Sequence, residues 1–169
     1  MEIHGETFVI RPVSGTAAEL EEILEVYRQC EDFLALGPVP YASLEMVLAD
    51  LDIARAEGGV YYGIYDSVNG HMLGIVDFVT AGFEGDPELA FLSLLMIGAP
   101  YRGQGLGAEV VKVVEDTICR QGKARFIRSG VQVNNPSGIR FWQRMGYRII
   151  SDAEAMPDGT VADQLWKDL

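Results

Sequence analysis

Apolar residues in the first third of the chain recur at helical spacing. Leu20, Leu24 and Tyr27 fall on one face of a helix over residues 17–29, which predicts that this face is buried. Cap residues and glycine or proline breaks set the ends of the other predicted helices, which cover residues 44–57, 105–121 and 136–145. In the helix over residues 44–57, Asp50 is expected on the exposed face.

Short apolar runs bounded by glycine, proline and asparagine predict the strands. These runs cover residues 7–13, 60–65, 72–80, 89–97, 125–133, 147–151 and 161–167. The run 89–97 is almost wholly apolar, so it is expected at the centre of a sheet that is covered on both faces. The order of the elements is that of a mixed α/β domain of the α+β type, with a final hairpin around residues 157–159.

Composition narrows the class of protein. A chain of 169 residues with 49% apolar residues is expected to form one folded domain over residues 1–169. It has no apolar run of 18 residues, and its acidic N-terminus lacks an apolar signal segment. We therefore expect a cytoplasmic protein without a membrane partner, in which Cys30 and Cys119 are reduced.

Charge is unevenly distributed along the sequence. The net charge of −12 argues against a nucleic acid partner. Residues 1–100 carry 3 basic and 17 acidic side chains, whereas residues 101–150 carry 9 basic and 3 acidic side chains. The basic segment suits an anionic ligand. The acidic remainder either attracts a cationic substrate or is an ordinary solvated surface.

The stretch of residues 88–107 carries the most chemical information. An apolar strand runs into a turn with glycine at positions 103, 105 and 107, and a helix follows at once. Glycine lets backbone N–H groups converge, and the helix N-terminus adds unpaired N–H groups and the positive end of its dipole. This arrangement predicts a socket for a phosphate or pyrophosphate, to which Arg102 can add a cation.

Two common phosphate-binding motifs match this stretch incompletely. A Walker A loop needs lysine and a hydroxyl residue where the chain has Gln104-Gly105, so nucleotide hydrolysis is not expected. A dinucleotide fingerprint fits loosely as Gly103-x-Gly105-x-x-Ala108. About 20 residues further on, where that motif needs a ribose-binding acid, the chain has two arginines.

A third motif fits more of the chain. Arg102-x-x-Gly105-x-Gly107 after a strand resembles the acetyl-CoA pyrophosphate loop of the GNAT superfamily of acyl-CoA N-acyltransferases. Residues 131–147 are similar to the second half of that family, where a strand ends in asparagine and an aromatic-bearing helix closes at Gly-Tyr. Residues 9–12 are similar to its first strand. The resemblance therefore spans the chain from end to end.

The resemblance implies a mixed central sheet of about seven strands with about four flanking helices. Strands 89–97 and 125–133 would splay apart and hold acetyl-CoA as a co-substrate, and no metal is implied. The residues expected to bind it are Leu95, Met96, Ile97, Arg102, Gly103, Gln104, Gly105, Leu106, Gly107, Asn135, Ser137 and Arg140. Helix capping is a second role for Asn135, and a plain exposed position is the alternative for Arg140.

The catalytic residues are less clearly marked. Many family members carry tyrosine, as a general acid, seven residues after the asparagine, where this chain has Trp142. Trp142 could line the cofactor channel, donate its N–H near the thioester, or be a core aromatic. Glu88 and Asp77 are the candidates for the general base, and a surface or edge carboxylate is the alternative for each. Glu84 could attract a cationic amine.

The resemblance implies an N-acetyltransferase that moves an acetyl group from acetyl-CoA to a primary amine of a small molecule, peptide or protein, by direct transfer in a ternary complex. Two alternatives stay open: a non-catalytic acyl-CoA-binding sensor and, less favoured, a nicotinamide-dependent oxidoreductase. The acceptor is expected to be cationic if the acidic surface is functional. A homodimer is one option for an oligomeric state that the sequence does not fix.

Overall fold

The computed structural model describes residues 1–156 and 159–169. The described strands are β1 (Ile3–His4), β2 (Phe8–Pro12), β3 (Val60–Asp66), β4 (Met72–Val79), β5 (Leu89–Ile97), β6 (Phe126–Gln132), β7 (Arg148–Ile149), β8 (Glu154–Ala155) and β9 (Val161–Asp168). The described helices are α1 (Ala17–Gln29), α2 (Glu31–Leu34), α3 (Leu44–Ala56), α4 (Leu106–Gln121) and α5 (Pro136–Arg144). The mixed α/β prediction is confirmed, with slightly more strands than expected. Pro157 and Asp158 of the predicted final turn lie outside the described residues.

The strands form one sheet in the order β1-β2-β3-β4-β5-β6-β9-β7, and β8 pairs with β9. β5 lies at the centre, as its apolar sequence predicts. It pairs antiparallel with β4 along most of its length, but parallel with β6 only from Leu89↔Phe126 to Leu92↔Ser129. Beyond these residues the two strands have no shared register, so the predicted splay is present.

Two hydrophobic clusters cover the two faces of the sheet. The cluster beneath α4 and α5 includes Tyr62, Phe78, Leu92, Val111 and Trp142. The cluster beneath α1 and α3 includes Tyr27, Leu51, Tyr61, Ile75 and Met96. The opening between β5 and β6 therefore connects two faces that are otherwise separated by the sheet. Among the residues described, no helix has the length and hydropathy needed to cross a membrane.

Local sequence signals set the ends of the helices around this opening. α4 begins after Gly105 and ends at Gly122, both of which have positive φ values, 89° and 67°. Such values are readily adopted only by glycine. Asn135 caps α5, because its side-chain oxygen accepts a hydrogen bond of 2.8 Å from the Gly138 N–H. Its predicted capping role is confirmed.

Candidate active site

An open cleft of about 1910 Å³ runs along the divergence of β5 and β6. The C-terminal ends of both strands, the first turns of α4 and α5, and parts of α2 and α3 line it. Pockets for a single drug-sized ligand have volumes of about 300–1,000 Å³. The cleft therefore has room for a long ligand together with a second molecule.

A cradle for an anion lies at one end of the cleft, where β5 leads into α4. Gly103 and Gly105 have φ values of 77° and 89°, and a Cβ atom at either position would meet no other atom within 4 Å. No side chain caps α4. The N–H groups of its first turn, which starts at Leu106, therefore lack helical acceptors and face the loop. Backbone donors and the helix dipole together suit a pyrophosphate.

Gly107 has a different role from the two glycines before it. It lies in the first turn of α4, outside the group of positive-φ residues. A Cβ atom there would lie 3.6 Å from the Phe141 ring and 3.7 Å from a side-chain carbon of Ile97, which is ordinary van der Waals contact. The backbone thus tolerates a side chain at this position, and glycine keeps space open on the cleft side.

Arg102 is already paired. Its Nη1 lies 2.6 Å from Asp32 Oδ2, and its Nε donates a hydrogen bond of 2.7 Å to the Ile97 carbonyl oxygen. The hydrogen bond from Arg102 holds the pKa of Asp32 below its ordinary value. Arg102 lines the cleft, and its guanidinium ties the glycine loop to α2. That it adds positive charge for a phosphate stays a prediction.

Most of the other residues expected to bind acetyl-CoA also line the cleft. They are Leu95, Met96, Ile97, Leu106, Asn135 and Ser137. Gln104 and Arg140 do not line it. Gln104 borders a separate small pocket beside Thr7 and Glu109, and Arg140 is exposed on α5. Lys112 and Arg144 line the cleft on the α4 and α5 side, and the sequence pattern did not single them out. Lys167 also lines the cleft, but its Nζ is bonded to Glu115 and to the Met145 carbonyl oxygen.

The backbone of β5 presents polar groups to the opening. The Gly98 N–H donates a hydrogen bond of 2.9 Å to the Leu73 carbonyl oxygen. Because hydrogen-bonding direction alternates along an antiparallel strand, Leu95 and Ile97 point their backbone groups away from β4 and into the gap. The Ile97 carbonyl oxygen already accepts bonds from Cys30 and Arg102. The Leu95 N–H and C=O therefore suit an extended ligand in the gap.

Asp77 lies on β4 where the cleft reaches the face beneath α1 and α3. The register with β5 shifts at this point and bulges Ser93 out of the ladder. Asp77 is only 3% exposed, yet its Oδ1 has no hydrogen-bond partner among the described residues. Burial, assisted by the charge of Glu57, raises the pKa of Asp77 to about 7, against a hydrogen bond from Ser93 that lowers it.

Glu88, the other candidate base, lies apart from Asp77. It precedes β5, is exposed, and has its carboxylate 3.7 Å from Arg125 Nη1. It is not among the residues that line the cleft. The structure thus places one candidate base inside the cleft and the other outside it.

A polar network that sequence reasoning missed adjoins Asp77. Tyr61 is the β3 partner of Asp77, and its hydroxyl lies 2.8 Å from the Tyr27 hydroxyl. Tyr27 in turn donates a hydrogen bond to Asp50. The prediction that Asp50 is exposed is wrong, because it is half-buried and turned toward this network. The one signal for this in the sequence was that Asp50, a polar residue, lies on an otherwise apolar face of its helix.

Glu84 and Arg128 form an ion pair at the same end of the cleft. The two guanidinium nitrogens of Arg128 lie 2.6 and 2.9 Å from the two Glu84 carboxylate oxygens, and the guanidinium stacks over Phe83. Glu84 has a φ value of 52°, which is unfavourable for a residue with a Cβ atom. The two hydrogen bonds between Glu84 and Arg128 stabilise the turn in this unfavourable backbone conformation.

Trp142 forms part of the wall of the cleft. It is 8% exposed and packs edge-on against Phe141 and Tyr147, with ring centroids 5.2 and 4.9 Å away. Of the roles considered from sequence, core packing and lining of the channel both match this position.

Comparisons with known proteins agree with the fold. The family model of the acetyltransferase (GNAT) family matches residues 20–147. An acetyltransferase from Thermus thermophilus has a TM-score of 0.77 at 23% identity, with 100% of both chains covered. A Salmonella typhimurium acetyltransferase that modifies the N-terminal serine of ribosomal protein L7/L12 has a TM-score of 0.77 at 13% identity, covering 100% of this chain and 99% of that one.

A third similar structure is spermidine N-acetyltransferase from Vibrio cholerae, in complex with CoA and spermine. Its TM-score is 0.70 at 12% identity, with 96% of this chain and 95% of that chain covered. At these identities the solved structures establish the fold, and the family match establishes the relationship. The chain belongs to the GNAT family of acetyltransferases.

Proposed function

We propose that this protein transfers an acetyl group from acetyl-CoA to a primary amine of a small molecule, a peptide or a protein, in a ternary complex. The observation that carries the proposal is the opening in the sheet beyond Leu92 and Ser129. The anion cradle lies on one side of this opening and Asp77 on the other. A donor and an acceptor that enter from opposite faces can therefore meet inside the sheet.

The chain offers matching groups for the pyrophosphate, the pantetheine arm and the thioester of acetyl-CoA. The N–H groups from Gly103 to Gly107 suit the pyrophosphate, and Lys112 and Arg144 add positive charge on that side. The backbone of Leu95 suits the amides of the pantetheine arm, and the Leu95 N–H can polarise the thioester carbonyl. The co-substrate supplies the activated acetyl group.

Asp77 is the residue that we propose as general base. Asp77 takes a proton from the ammonium form of the amine, and the neutral nitrogen bonds to the carbonyl carbon. The C–S bond breaks, and a second proton of the nitrogen passes through water to the departing thiolate. A base works best when its pKa lies near the working pH, and the pKa of Asp77 is raised to about 7. Glu88 stays a weaker proposal for this role, since it lies outside the cleft.

The similar structures support an amine acceptor without fixing its size. One acts on a protein N-terminus and another is named for a polyamine. Because loops around a shared fold set specificity, neither acceptor carries over to this chain by resemblance alone.

Release of the CoA thiol in the presence of an amine panel tests the proposal, with mass spectrometry to find the acetylated nitrogen. We expect release that depends on the amine and is lost in Asp77→Asn. Tight binding of acetyl-CoA without transfer to any amine would contradict the proposal and favour the acyl-CoA sensor.

A further inference from the structure

We propose that the acceptor carries two positive charges: a primary amine that reaches Asp77 and a second cationic group that Glu57 binds at the rim of the cleft. This inference rests on the acetyl transfer proposed above. It concerns the part of the cleft between α3, the turn at Phe83–Gly85 and β6, which we call the acceptor end.

Negative charge dominates the acceptor end. Asp50, Glu57, Asp77 and Glu84 all line it. Asp50 is engaged by Tyr27, and Glu84 by Arg128. Glu57 follows the last turn of α3, is exposed, and makes no ion pair within 4 Å among the described residues. Partial burial and the charge of Glu84 raise its pKa, whereas the charge of Arg128 lowers it. Glu57 is therefore the carboxylate at the rim that can bind a new cation without breaking an ion pair among the described residues.

The cations of the cleft lie elsewhere or are committed. Among the described lining residues of the acceptor end, Arg128 is the one cation, and two hydrogen bonds tie it to Glu84. Lys112 and Arg144 belong to α4 and α5, on the side proposed for the phosphates. A carboxylate next to the reacting amine, as in a free amino acid, would meet Asp77 and Glu57 without an uncommitted cation. Such acceptors are disfavoured.

A buried acceptor atom marks where the reacting amine binds. Asp77 Oδ1 has no hydrogen-bond partner among the described residues although Asp77 is 3% exposed. A Cβ atom on Gly59 would lie only 2.8 Å from this oxygen, so glycine avoids a clash with the Asp77 carboxylate. Unpaired buried oxygens are costly, and an N–H donor from a ligand would satisfy this one. Gly59 also lies two residues from Glu57, which places the two carboxylates near one another.

Apolar side chains line the cleft together with the two carboxylates. Ile53, Phe91 and Leu94 line this part of the cleft. They suit the methylene chain of an aliphatic diamine, because burial of each methylene group is favourable by about 0.8 kcal/mol. An apolar spacer with a cationic group at each end matches the chemistry of the acceptor end.

Three amines of equal chain length test the inference: 1,4-diaminobutane, n-butylamine and 4-aminobutanoate, followed by longer homologues of each. They share a four-carbon chain and differ in the group at the far end, which is an ammonium, a methyl or a carboxylate group; rates for the diamine are divided by its two equivalent amines. We expect kcat/KM for the diamine to exceed that for the monoamine by about fivefold or more, and 4-aminobutanoate to be the poorest acceptor. Added salt should reduce the preference for the diamine.

Glu57→Gln should reduce this preference to within about twofold, since it removes the second anionic point but keeps the size of the side chain. Glu45→Gln, on an exposed position of the same helix outside the cleft, is the matched control and should retain it. Equal use of monoamine and diamine, or a preference that survives in Glu57→Gln, would overturn the inference while leaving acetyl transfer intact. If no amine that is tried, including a neutral peptide, supports thiol release, that result would contradict the proposed function itself.

Discussion

The Ser129 hydroxyl donates a hydrogen bond of 2.8 Å to the Leu92 carbonyl oxygen, at the last residue pair that joins β5 to β6. Ser129 is buried, so this bond pairs its hydroxyl with a backbone carbonyl at the point where the ladder ends. One side chain therefore marks the start of the opening through the sheet. The proposed meeting point of the two substrates lies directly beyond it.

The rate of acetyl transfer should follow the ionisation of Asp77. Below a pKa of about 7 the carboxyl is protonated and cannot accept a proton, so kcat/KM should rise with pH through this value. Asp77→Asn should lower kcat by about 10²- to 10⁴-fold and remove the inflection near pH 7. Comparison of the pH profiles of the parent and the variant distinguishes the ionisation of Asp77 from that of the amine substrate, which also loses a proton at higher pH. The same inflection in the variant would assign it to another group.

Asp77→Asn should also stabilise the fold. The pKa of Asp77 is raised from 3.8 in the unfolded chain to about 7 in the folded protein. The folded state thus binds the proton more tightly, and stability falls as pH rises from about 4 through 7. A pKa difference of about 3 corresponds to at most about 4 kcal/mol, and an amide escapes this loss. The gain in Tm over the parent should therefore be larger at pH 8 than at pH 5.

Asp52→Asn is the control for this stability measurement, because Asp52 lies on α3, which borders the acceptor end, but is exposed. We expect little change in its Tm at either pH. An Asp77→Asn effect of equal size at pH 5 and pH 8 would show that the buried charge is not its cause.

Alanine substitutions at the two glycines that flank α4 distinguish an effect on folding from an effect on cofactor binding. Gly105 and Gly122 both have positive φ values and open space where a Cβ atom would lie, so alanine at either should cost about 1–2 kcal/mol of stability. Only Gly105 lies in the anion cradle. Gly105→Ala should weaken acetyl-CoA binding well beyond any effect of Gly122→Ala, as measured by titration of the folded variants. Equal affinities of the two variants for acetyl-CoA would contradict the proposal that this loop binds the pyrophosphate.

Trp142→Phe should retain kcat within about tenfold, since the ring packs against Phe141 and Tyr147 as a wall. The smaller ring should lower Tm, because it leaves a cavity in the core. Kinetics with saturating acetyl-CoA measure the first effect and thermal unfolding the second. A loss of several orders of magnitude in kcat at unchanged folding would show that the indole N–H takes part in the reaction.

Local sequence signals predicted the fold where they are strong. The apolar run of β5, the stripe of α1 and the Asn135 cap of α5 all depend on neighbours in sequence, and all three are confirmed. α2 and the two-residue strands β1 and β8 were not predicted. α2 has four residues, no side-chain cap and no buried residue, so it leaves no pattern in the sequence. β1 and β8 exist through pairing with β2 and β9.

The candidate site also has features that the sequence could predict and features that it could not. The glycine loop could be predicted because its conformation is set by Gly103 and Gly105 themselves. The pairing of Arg102 with Asp32 could not, since the two residues are 70 positions apart. Sequence also could not separate Asp77 from Glu88, because burial and a nearby carboxylate, rather than residue type, raise the pKa of Asp77.

Calorimetric titration with acetyl-CoA, with NADH and ATP as controls, tests most directly whether the cleft between β5 and β6 holds the acetyl donor. We predict saturable binding of acetyl-CoA and no saturable binding of NADH or ATP. Absence of acetyl-CoA binding, or equal binding of NADH, would contradict the assignment of the glycine loop to the pyrophosphate of CoA.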